Sequence, residues 1–313
     1  MDSSSFLSHR IFYPIPFALC LLIIRHFLER YCFDPIGIAL GINPPKVISR
    51  KDNPRLVGKI KQTDLLSPHQ ARSLNDYLIF FNNCLKYNSL EKHKISRFSK
   101  SCWHFSYYLV EFIHGVIILW GQPWFEDLKE CWIGHPHHKI TASLWIYYMI
   151  NLTYYWSLLI HLFVNERRKD FLENAVHHTI AMLLIYISFV LKFHRIGTIT
   201  IVVLFVSDIF LEMAKILKYL NKELPCTVCF GIFTIVWTVS RLIIYPSWVL
   251  KQTLIVGPSE YIKKVTLSMY LMNTLLCLVG LLSIFWTIQI YKVVWKVLNG
   301  QELQDERSDS ESE

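Results

Sequence analysis

Two adjacent histidines, His177 and His178, lie inside a strongly apolar stretch of the chain, RRKDFLENAVHHTIAMLLIYISF, which runs from Arg167 to Phe189. A helix that faces lipid favours leucine over a titratable ring, because ionisable groups at that depth cost free energy. Imidazole serves readily as a base or as a nucleophile near neutral pH. Adjacent residues on a helix diverge by about 100°. One ring can therefore face a reacting atom while the other supports it.

Three further ionisable residues, Asp208, Glu212 and Lys215, follow in the next apolar segment, IGTITIVVLFVSDIFLEMAKIL. Their spacing places them on one face of a helix. A charge at this depth costs about 2.5 to 3.5 kcal/mol, so these groups should face the protein interior or a wet cavity. Counted at about 1.5 Å per residue, the histidines and the acids reach similar depths. We predict that both sets line one pocket open to the cytosol; a structural interhelical network is the alternative.

The composition indicates which elements must position these residues. The chain has 313 residues, of which 53% are hydrophobic and only 18% charged, and its mean hydropathy is +0.32. A soluble domain of this size needs more surface charge. We predict an all-α integral membrane protein with about seven transmembrane helices, since roughly 20 apolar residues cross a bilayer. The predicted spans are Ile11–Phe27, Phe105–Trp120, Ile140–Val164, Ala175–Phe193, Ile196–Leu217, Cys226–Leu250 and Val265–Val294.

The first span is predicted to be an anchor helix, because no small-residue cleavage site follows it. The loop from Leu28 to His104 holds 13 of the 32 Lys and Arg residues, and Arg167, Arg168 and Lys169 follow the third span. This bias places both loops in the cytosol. The C-terminal tail, ELQDERSDSESE, then lies there too and is predicted to be a disordered solubilising end.

Metal and redox chemistry find little support in the sequence. Of the eight cysteines only Cys226 and Cys229 have the spacing of a metal or redox pair, and no second pair completes a zinc site. They are predicted to be small apolar residues at a helix start. Proton or acyl transfer on a lipid therefore suits the histidines and Asp208 best, with no metal and no cofactor.

In its motifs and their spacing the sequence resembles the ceramide synthases, membrane enzymes of the TLC-domain group. The matching region contains a basic KDF entry, the His-His pair, an R-x-G-T turn and a D-x-x-L-E-x-x-K helix. Similar segments flank it: SCWHFSYYLVEF, QPWFEDLKECWIGHPHH, SRLIIYPSWVLKQTL and DERSDSESE. The resemblance covers roughly residues 95 to 313.

This resemblance implies a six-helix TLC barrel that encloses a lipid cavity, with the anchor helix outside. It implies the domains 1–28 (anchor), 29–100 (basic loop), 101–295 (TLC domain) and 296–313 (acidic tail). The implied reaction is N-acylation of a sphingoid base, sphinganine or sphingosine, by fatty acyl-CoA as co-substrate at the endoplasmic reticulum. It also suggests a homo- or heterodimer.

The resemblance also assigns roles to individual residues. His177 would be the base or the acyl-accepting nucleophile, and His178 and Asp208 would orient it and shuttle protons. The residues implied in substrate binding are Glu212, Lys215, Arg241, Arg167, Arg168 and Lys169. Arg241 would pair with Glu212 or reach substrate, and the basic cluster would meet the CoA phosphates; a positive-inside stop signal is the other interpretation of that cluster.

Some positions depart from the family pattern. Leu204 and Phe205 stand where the family has its first acid, and Ala181 stands where it usually has a hydroxyl residue. These changes keep open a catalytically weakened or inactive TLC-domain protein that binds lipid. A seven-helix receptor or transporter fits the number of spans but leaves the clustered ionisable residues unexplained.

One segment of the first loop, KQTDLLSPHQARSLNDYLIFFNNCLKYN, lies where many family members carry a homeobox-like sequence. A DNA-reading helix needs arginines and an asparagine on a groove-facing stripe. This segment ends in an aromatic, nearly uncharged run instead, so no nucleic-acid binding is predicted.

Overall fold

The computed structural model describes residues 14–42, 68–164, 171–261 and 267–299, with side chains at 14–42, 93–164, 171–258, 267 and 269–299. In these ranges all regular secondary structure is helical. The helices are α1 (Pro14–Leu28), α2 (Asp34–Ala39), α3 (Pro68–Leu119), α4 (Pro123–Glu126), α5 (Ala142–Val164), α6 (Phe171–Val190), α7 (His194–Tyr219), α8 (Glu223–Trp237) and α9 (Leu267–Leu298).

Helix α8 continues beyond Trp237 in wider, π-type turns over Thr238–Leu250 and Gln252–Tyr261. Each of these segments contains a proline, Pro246 or Pro258. Proline has no backbone N–H and its ring clashes with the preceding turn, which disturbs regular α-helical bonding. The first wide segment also carries Arg241, so its geometry determines where that side chain points.

Five helical segments within the described ranges are long and apolar enough to cross a membrane. They are His93–Leu119, Phe171–Val190, His194–Tyr219, Glu223–Pro258 and Met269–Leu298. The prediction of an all-helical membrane protein is confirmed at this level. Two predicted spans are not among the five: α1 has 15 described residues, and α5 has 23 residues but many tyrosines and tryptophans.

The packing contacts of the long helices close into a ring. Helix α3 packs along α7, α7 on α8, the wide-turn segment after α8 on α9, α9 on α6, α6 on α5, and α5 on α3. Helix α1 packs on α5. The close approach of α3 to α7 requires a small residue at Gly115, because a Cβ there would overlap the side chains of Val202 and Tyr147.

A short turn reverses the chain between α6 and α7. Lys192 adopts a positive φ of 64° in this turn, and the Phe193 amide donates to the Ser188 carbonyl at 2.8 Å. The two helices therefore run antiparallel, as the sequence predicts. This reversal brings the N-terminal half of α6 to the same end of the bundle as the C-terminal half of α7.

Candidate functional site

The two predicted histidines lie in the second turn of α6. The rings of His177 and Trp286 meet edge to face, with centroids 4.9 Å apart and an interplanar angle of 86°. The centroids of His177 and His178 are 5.4 Å apart. The Nδ1 atoms of both rings are buried, and neither has a hydrogen-bond partner among the described residues. Each imidazole thus keeps a nitrogen free for chemistry.

Tyr155 on α5 lies beside one of the histidines and within electrostatic range of the acid on α7. Its ring centroid lies 6.1 Å from that of His178, and its hydroxyl is within electrostatic range of Asp208 and Arg241. Tyr155 is 9% exposed. The sequence analysis did not single it out, because the adjacent Tyr154-Tyr155 pair in an apolar helix has the pattern of ordinary packing residues.

Asp208 forms a buried ion pair with Arg241. The Arg241 Nη2 atom donates to both carboxylate oxygens of Asp208, at 2.9 and 3.1 Å, and also to the Leu204 carbonyl at 3.2 Å. Its Nε donates to the Ser207 hydroxyl at 3.3 Å. The side chains of Arg241 and Asp208 are 4% and 19% exposed. The hydrogen bonds of the described residues do not join Asp208 to either imidazole, and they pair Arg241 with Asp208 rather than with Glu212.

Two tryptophans complete this arrangement. The Arg241 guanidinium lies over the Trp237 ring, 4.2 Å from its centroid, a distance typical of a cation–π contact. Trp237 is held by its Nε1, which donates to the Thr287 hydroxyl at 2.9 Å, and its centroid is 6.5 Å from that of Trp286. We call the resulting ring of side chains, for which a reaction is proposed below, the catalytic belt. Its members are His177, His178, Tyr155, Asp208, Arg241, Trp237 and Trp286.

The remaining predicted site residues make no direct contact with the belt among the described residues, although Glu212 and Lys215 are within electrostatic range of Asp208, or they lie outside the described residues. Glu212 and Lys215 pair with each other at 2.7 Å, and Lys215 is 35% exposed. The second Glu212 oxygen, Oε2, is buried without a partner in the described part of the chain. The basic cluster 167–169 lies outside the described residues.

Phe205 occupies the position where the family resemblance leads one to expect an acid. Its side chain is 2% exposed, and its ring meets Tyr108 and Tyr107 of α3 edge to face at 5.1 and 6.1 Å between centroids. This position therefore faces the tyrosines of α3. The observed contacts show why a phenylalanine is well accommodated there.

A second buried polar cluster, which the sequence analysis missed, lies between α3 and α5. The Asn151 amide donates to Glu111 Oε2 at 2.9 Å, and the Tyr107 hydroxyl donates to Asn151 Oδ1 at 3.0 Å. His114 Nδ1 is 3.6 Å from the other Glu111 oxygen. A glutamate within a membrane span is a signal for such a cluster, and it is visible in the SYYLVEF motif.

An apolar cavity of about 50 Å³ lies further along α6. Its nearest α6 residue is Leu184, seven positions after His177 and so roughly 10 Å along the helix axis. The cavity is lined by Leu184, Ile185, Ser188, Ile196, Gly197, Thr200, Ile201, Val249, Thr253, Met272 and Leu276. It is far smaller than the roughly 300 Å³ of a typical ligand pocket, so a long chain enters only if the helices move apart.

The geometry of the catalytic belt suits nucleophilic or general-base chemistry by an imidazole. A nitrogen without a protein partner can attack or accept a proton, and the nearby Arg241 charge, which is within electrostatic range of His177, can attract a developing oxyanion. The described residues contain no group of three or more histidine, cysteine or acidic side chains placed to hold a metal ion. Cys226 and Cys229 are buried and donate to the carbonyls of Ala214 and Phe210, as expected for packing residues.

Comparison with known proteins places the chain in a family. The TLC domain model matches residues 97–292. The chain is 31% identical over 307 residues to ceramide synthase 3 of Mus musculus, covering 96% of this chain and 80% of that protein. It is 33% identical over 319 residues to ceramide synthase 5 of Homo sapiens, covering 95% and 77%. A third relative, a ceramide synthase of Caenorhabditis elegans, is 35% identical over 219 residues, covering 66% and 59%.

These matches agree with the motifs noted in the sequence, because the TLC domain match contains the histidine pair, Asp208 and Arg241. They extend over almost the whole chain in the mouse and human relatives. Together with the apolar helices, they establish a multi-pass membrane protein. This chain belongs to the ceramide synthase family.

Proposed function

We propose that this protein is a sphingoid base N-acyltransferase that transfers a fatty acyl group from acyl-CoA to sphinganine or sphingosine. One observation carries the proposal: the histidine pair of α6 keeps two buried nitrogens without a partner among the described residues, inside a belt of aromatic and charged side chains. Leaving a buried polar atom unsatisfied costs about 1 to 3 kcal/mol. His135, His138 and His194 also bury an Nδ1 without a partner among the described residues, and what distinguishes His177 is the nearby Arg241 charge.

In the proposed reaction His177 acts as the nucleophile. A ring nitrogen attacks the thioester carbonyl, the C–S bond breaks, CoA leaves as the thiol after taking up the imidazole proton, and an acyl-imidazole forms. The amine of the sphingoid base then attacks that acyl group. The C–N bond to His177 breaks, and the proton lost by the amine returns to the imidazole as the amide is released.

The other members of the belt support this step. His178 holds its neighbour's position and accepts or returns the proton. Arg241 attracts the oxyanion of each tetrahedral intermediate, while Asp208 fixes the guanidinium through the two hydrogen bonds described above. Glu212, Lys215 and the basic cluster 167–169 are proposed to contact polar parts of the substrates at the cytosolic mouth.

We further propose that the ring of helices forms the six-helix barrel of the TLC domain, with α1 as the anchor helix outside it. Helices α1 and α5 would then cross the membrane together with the five apolar segments. The apolar cavity beyond Leu184 would widen to hold the far end of the acyl chain. Acyl-CoA is the co-substrate, and no other cofactor is needed. The protein lies in the endoplasmic reticulum membrane with its C-terminus on the cytosolic side, and it forms a homo- or heterodimer.

The test is an acyltransfer assay on microsomes that contain the wild-type chain, His177→Ala or His137→Ala. His137 is an exposed imidazole on the connection between α4 and α5 and serves as the matched control. We expect the wild type and His137→Ala to form ceramide, and His177→Ala to lose about 10²- to 10⁴-fold or more in rate. Undiminished product in His177→Ala would refute the assignment of the nucleophile.

A second measurement isolates the first half-reaction. Purified protein is incubated with acyl-CoA in the absence of a sphingoid base, and the mass of the intact chain is measured. An increase by one acyl group in the wild type, absent in His177→Ala, is expected.

The runner-up function, a TLC-domain protein that binds lipid without turnover, is favoured by the departures from the family pattern at Ala181, Leu204 and Phe205. It predicts that the wild-type chain binds acyl-CoA or sphingoid base but yields neither ceramide nor the acylated chain. The same two assays therefore separate the two functions.

A further inference from the structure

A cavity of about 240 Å³ lies between α1 and α5, apart from the catalytic belt. It is lined by Leu22, Arg25, His26, Glu29, Ile160, His161 and Val164. On α1 these residues occupy the last two turns and the first residue after the helix, and on α5 they occupy the last turn. Both helices end on the same side of the bundle. If α1 and α5 cross the bilayer, the cavity lies at the boundary between membrane and water.

The cavity contains a buried ion pair with both signs of charge. Arg25 is 4% exposed, and its Nε donates to Glu29 Oε1 at 2.7 Å. This is the hydrogen bond that Arg25 makes within the described residues, so the two Nη groups remain available as donors. The Glu29 side chain is 21% exposed. A guanidinium in a mostly buried position favours a partner that accepts several hydrogen bonds at once.

The rest of the lining consists of two histidines, His26 and His161, and three apolar residues, and the apolar residues continue into a surface suited to lipid. Leu22, Ile160 and Val164 line the cavity beside the charged pair. Next to them on α1, Ile23 and Phe27 are 58% and 55% exposed. Exposed large apolar residues on a membrane helix indicate contact with acyl chains. The site thus combines a polar floor with apolar walls.

We propose that this cavity binds the zwitterionic headgroup of a glycerophospholipid, such as phosphatidylcholine. The phosphate accepts hydrogen bonds from Arg25, the ammonium lies near Glu29, and the glycerol ester region passes Leu22 and Ile160 towards the bilayer. A purely anionic ligand is disfavoured because Glu29 would repel it, and a purely cationic ligand is disfavoured by Arg25. The volume suits a headgroup rather than a whole lipid, since complete ligand pockets measure roughly 300 to 1,000 Å³.

A bound headgroup would also fasten α1 to the ring of helices. Helix α5 carries both the cavity residues Ile160 and His161 and the belt residue Tyr155, so the two sites share one element. The inference does not depend on the acyltransferase chemistry. It requires only that the cavity lies at the membrane boundary.

The test measures bound lipid on the purified full-length protein by native mass spectrometry. Protein in detergent is stripped of lipid and then supplied with phosphatidylcholine, phosphatidylglycerol or acyl-CoA. The wild type is expected to retain phosphatidylcholine in preference to phosphatidylglycerol. Arg25→Gln is expected to weaken retention about tenfold or more, because it removes a charge-assisted contact to phosphate.

Arg30→Gln is the matched control. Arg30 follows on the next turn, is 70% exposed, pairs with Asp34 at 3.6 Å and does not line the cavity, so retention should not change. Leu22→Trp fills the cavity without removing a charge and should also lose phosphatidylcholine. Glu29→Gln should abolish the preference for phosphatidylcholine over phosphatidylglycerol. Elution volume and melting temperature of each variant show whether it folds.

Three outcomes would overturn the proposal. Unchanged retention of phosphatidylcholine in folded Arg25→Gln or Leu22→Trp would place the lipid elsewhere. Equal binding of phosphatidylglycerol and phosphatidylcholine by the wild type would indicate a general anion site. Displacement of phosphatidylcholine by acyl-CoA would assign the cavity to the acyl donor. Because bound lipid is measured directly, an inactive enzyme would not affect the result.

Discussion

The ion pair between Asp208 and Arg241 gives the most direct test of the site's geometry. A double-mutant cycle compares Arg241→Met, Asp208→Leu and the variant with both changes. Arg241→Met leaves a carboxylate that is only 19% exposed without its partner. Breaking a buried pair in this way costs about 3 to 5 kcal/mol. Asp208→Leu should lie at the lower end of that range, because Arg241 keeps Ser207, the Leu204 carbonyl and the Trp237 face.

The double variant should recover most of this loss, since neither charge then remains buried. At roughly 2 to 4 °C per kcal/mol, as measured for domains of about 150 to 250 residues, Arg241→Met should melt about 6 to 20 °C below the wild type. The assay is thermal unfolding in detergent, followed by intrinsic fluorescence. Acyl transfer should remain low in the double variant, because the guanidinium charge near the proposed nucleophile, His177, is absent.

Additivity would refute this reasoning. If the two single effects sum to the double effect within about 0.5 kcal/mol, the residues do not interact. Full transfer activity in a stable double variant would mean that the ion pair has a structural role only, and it would exclude Arg241 from the proposed mechanism.

The remaining predictions concern a loop, a cavity and the missing acid. Burial, and then the neighbouring His138, lower the pKa of His135 to about 4. The unfolded chain therefore binds more protons than the folded protein below about pH 6.5, and the free energy of unfolding should fall as the pH decreases from about 6.5 to about 4. His135→Phe should flatten this dependence, measured as melting temperature against pH. Thr200→Leu narrows the apolar cavity and should shift ceramide products made from mixed acyl-CoAs towards shorter chains, whereas an unchanged product distribution would argue against a chain-binding cavity. Phe205→Asp buries an unpaired carboxylate, so it should lower the melting temperature without raising the transfer rate, and a faster enzyme would contradict this.

The helices were predictable because hydrophobic length is a strong signal in a membrane protein. Within the described residues, every predicted span overlaps a helix. The short connection predicted between α6 and α7 is also present, as the turn at Lys192. The wide turns after α8 were not predictable, because Pro246 alone also permits a kinked α-helix. Helix α5 has a weaker hydropathy because it is rich in tyrosines, which serve interhelical packing and hydrogen bonding rather than contact with lipid.

The proximity of the histidine pair, Asp208 and Arg241 was predictable from the sequence, but the pairing of these side chains was not. Helical spacing correctly brought Asp208 to the interior, but spacing along one helix contains no information about which cation approaches from another. Arg241 reaches Asp208 from the wide-turn segment, so its register depends on backbone geometry that sequence periodicity does not describe. Tyr155 and Trp286 were missed for a related reason: in an apolar helix an aromatic residue that packs against a histidine has the same sequence pattern as any other core residue.

Phe205 does not disrupt the contacts of the histidine pair or of Asp208, and this bears on the choice between an acyltransferase and a protein that only binds lipid. Phe205 packs against Tyr107 and Tyr108 on α3, whereas the histidine pair on α6 contacts Trp286 and Tyr155. An acid at this position would therefore meet the α3 tyrosines before it reached the imidazoles. Its replacement leaves the catalytic belt complete and exchanges a costly buried carboxylate for favourable aromatic packing. Since the proposed nucleophile, His177, and the nearby Arg241 charge are both retained, the local structure favours the transferase over a protein that only binds lipid.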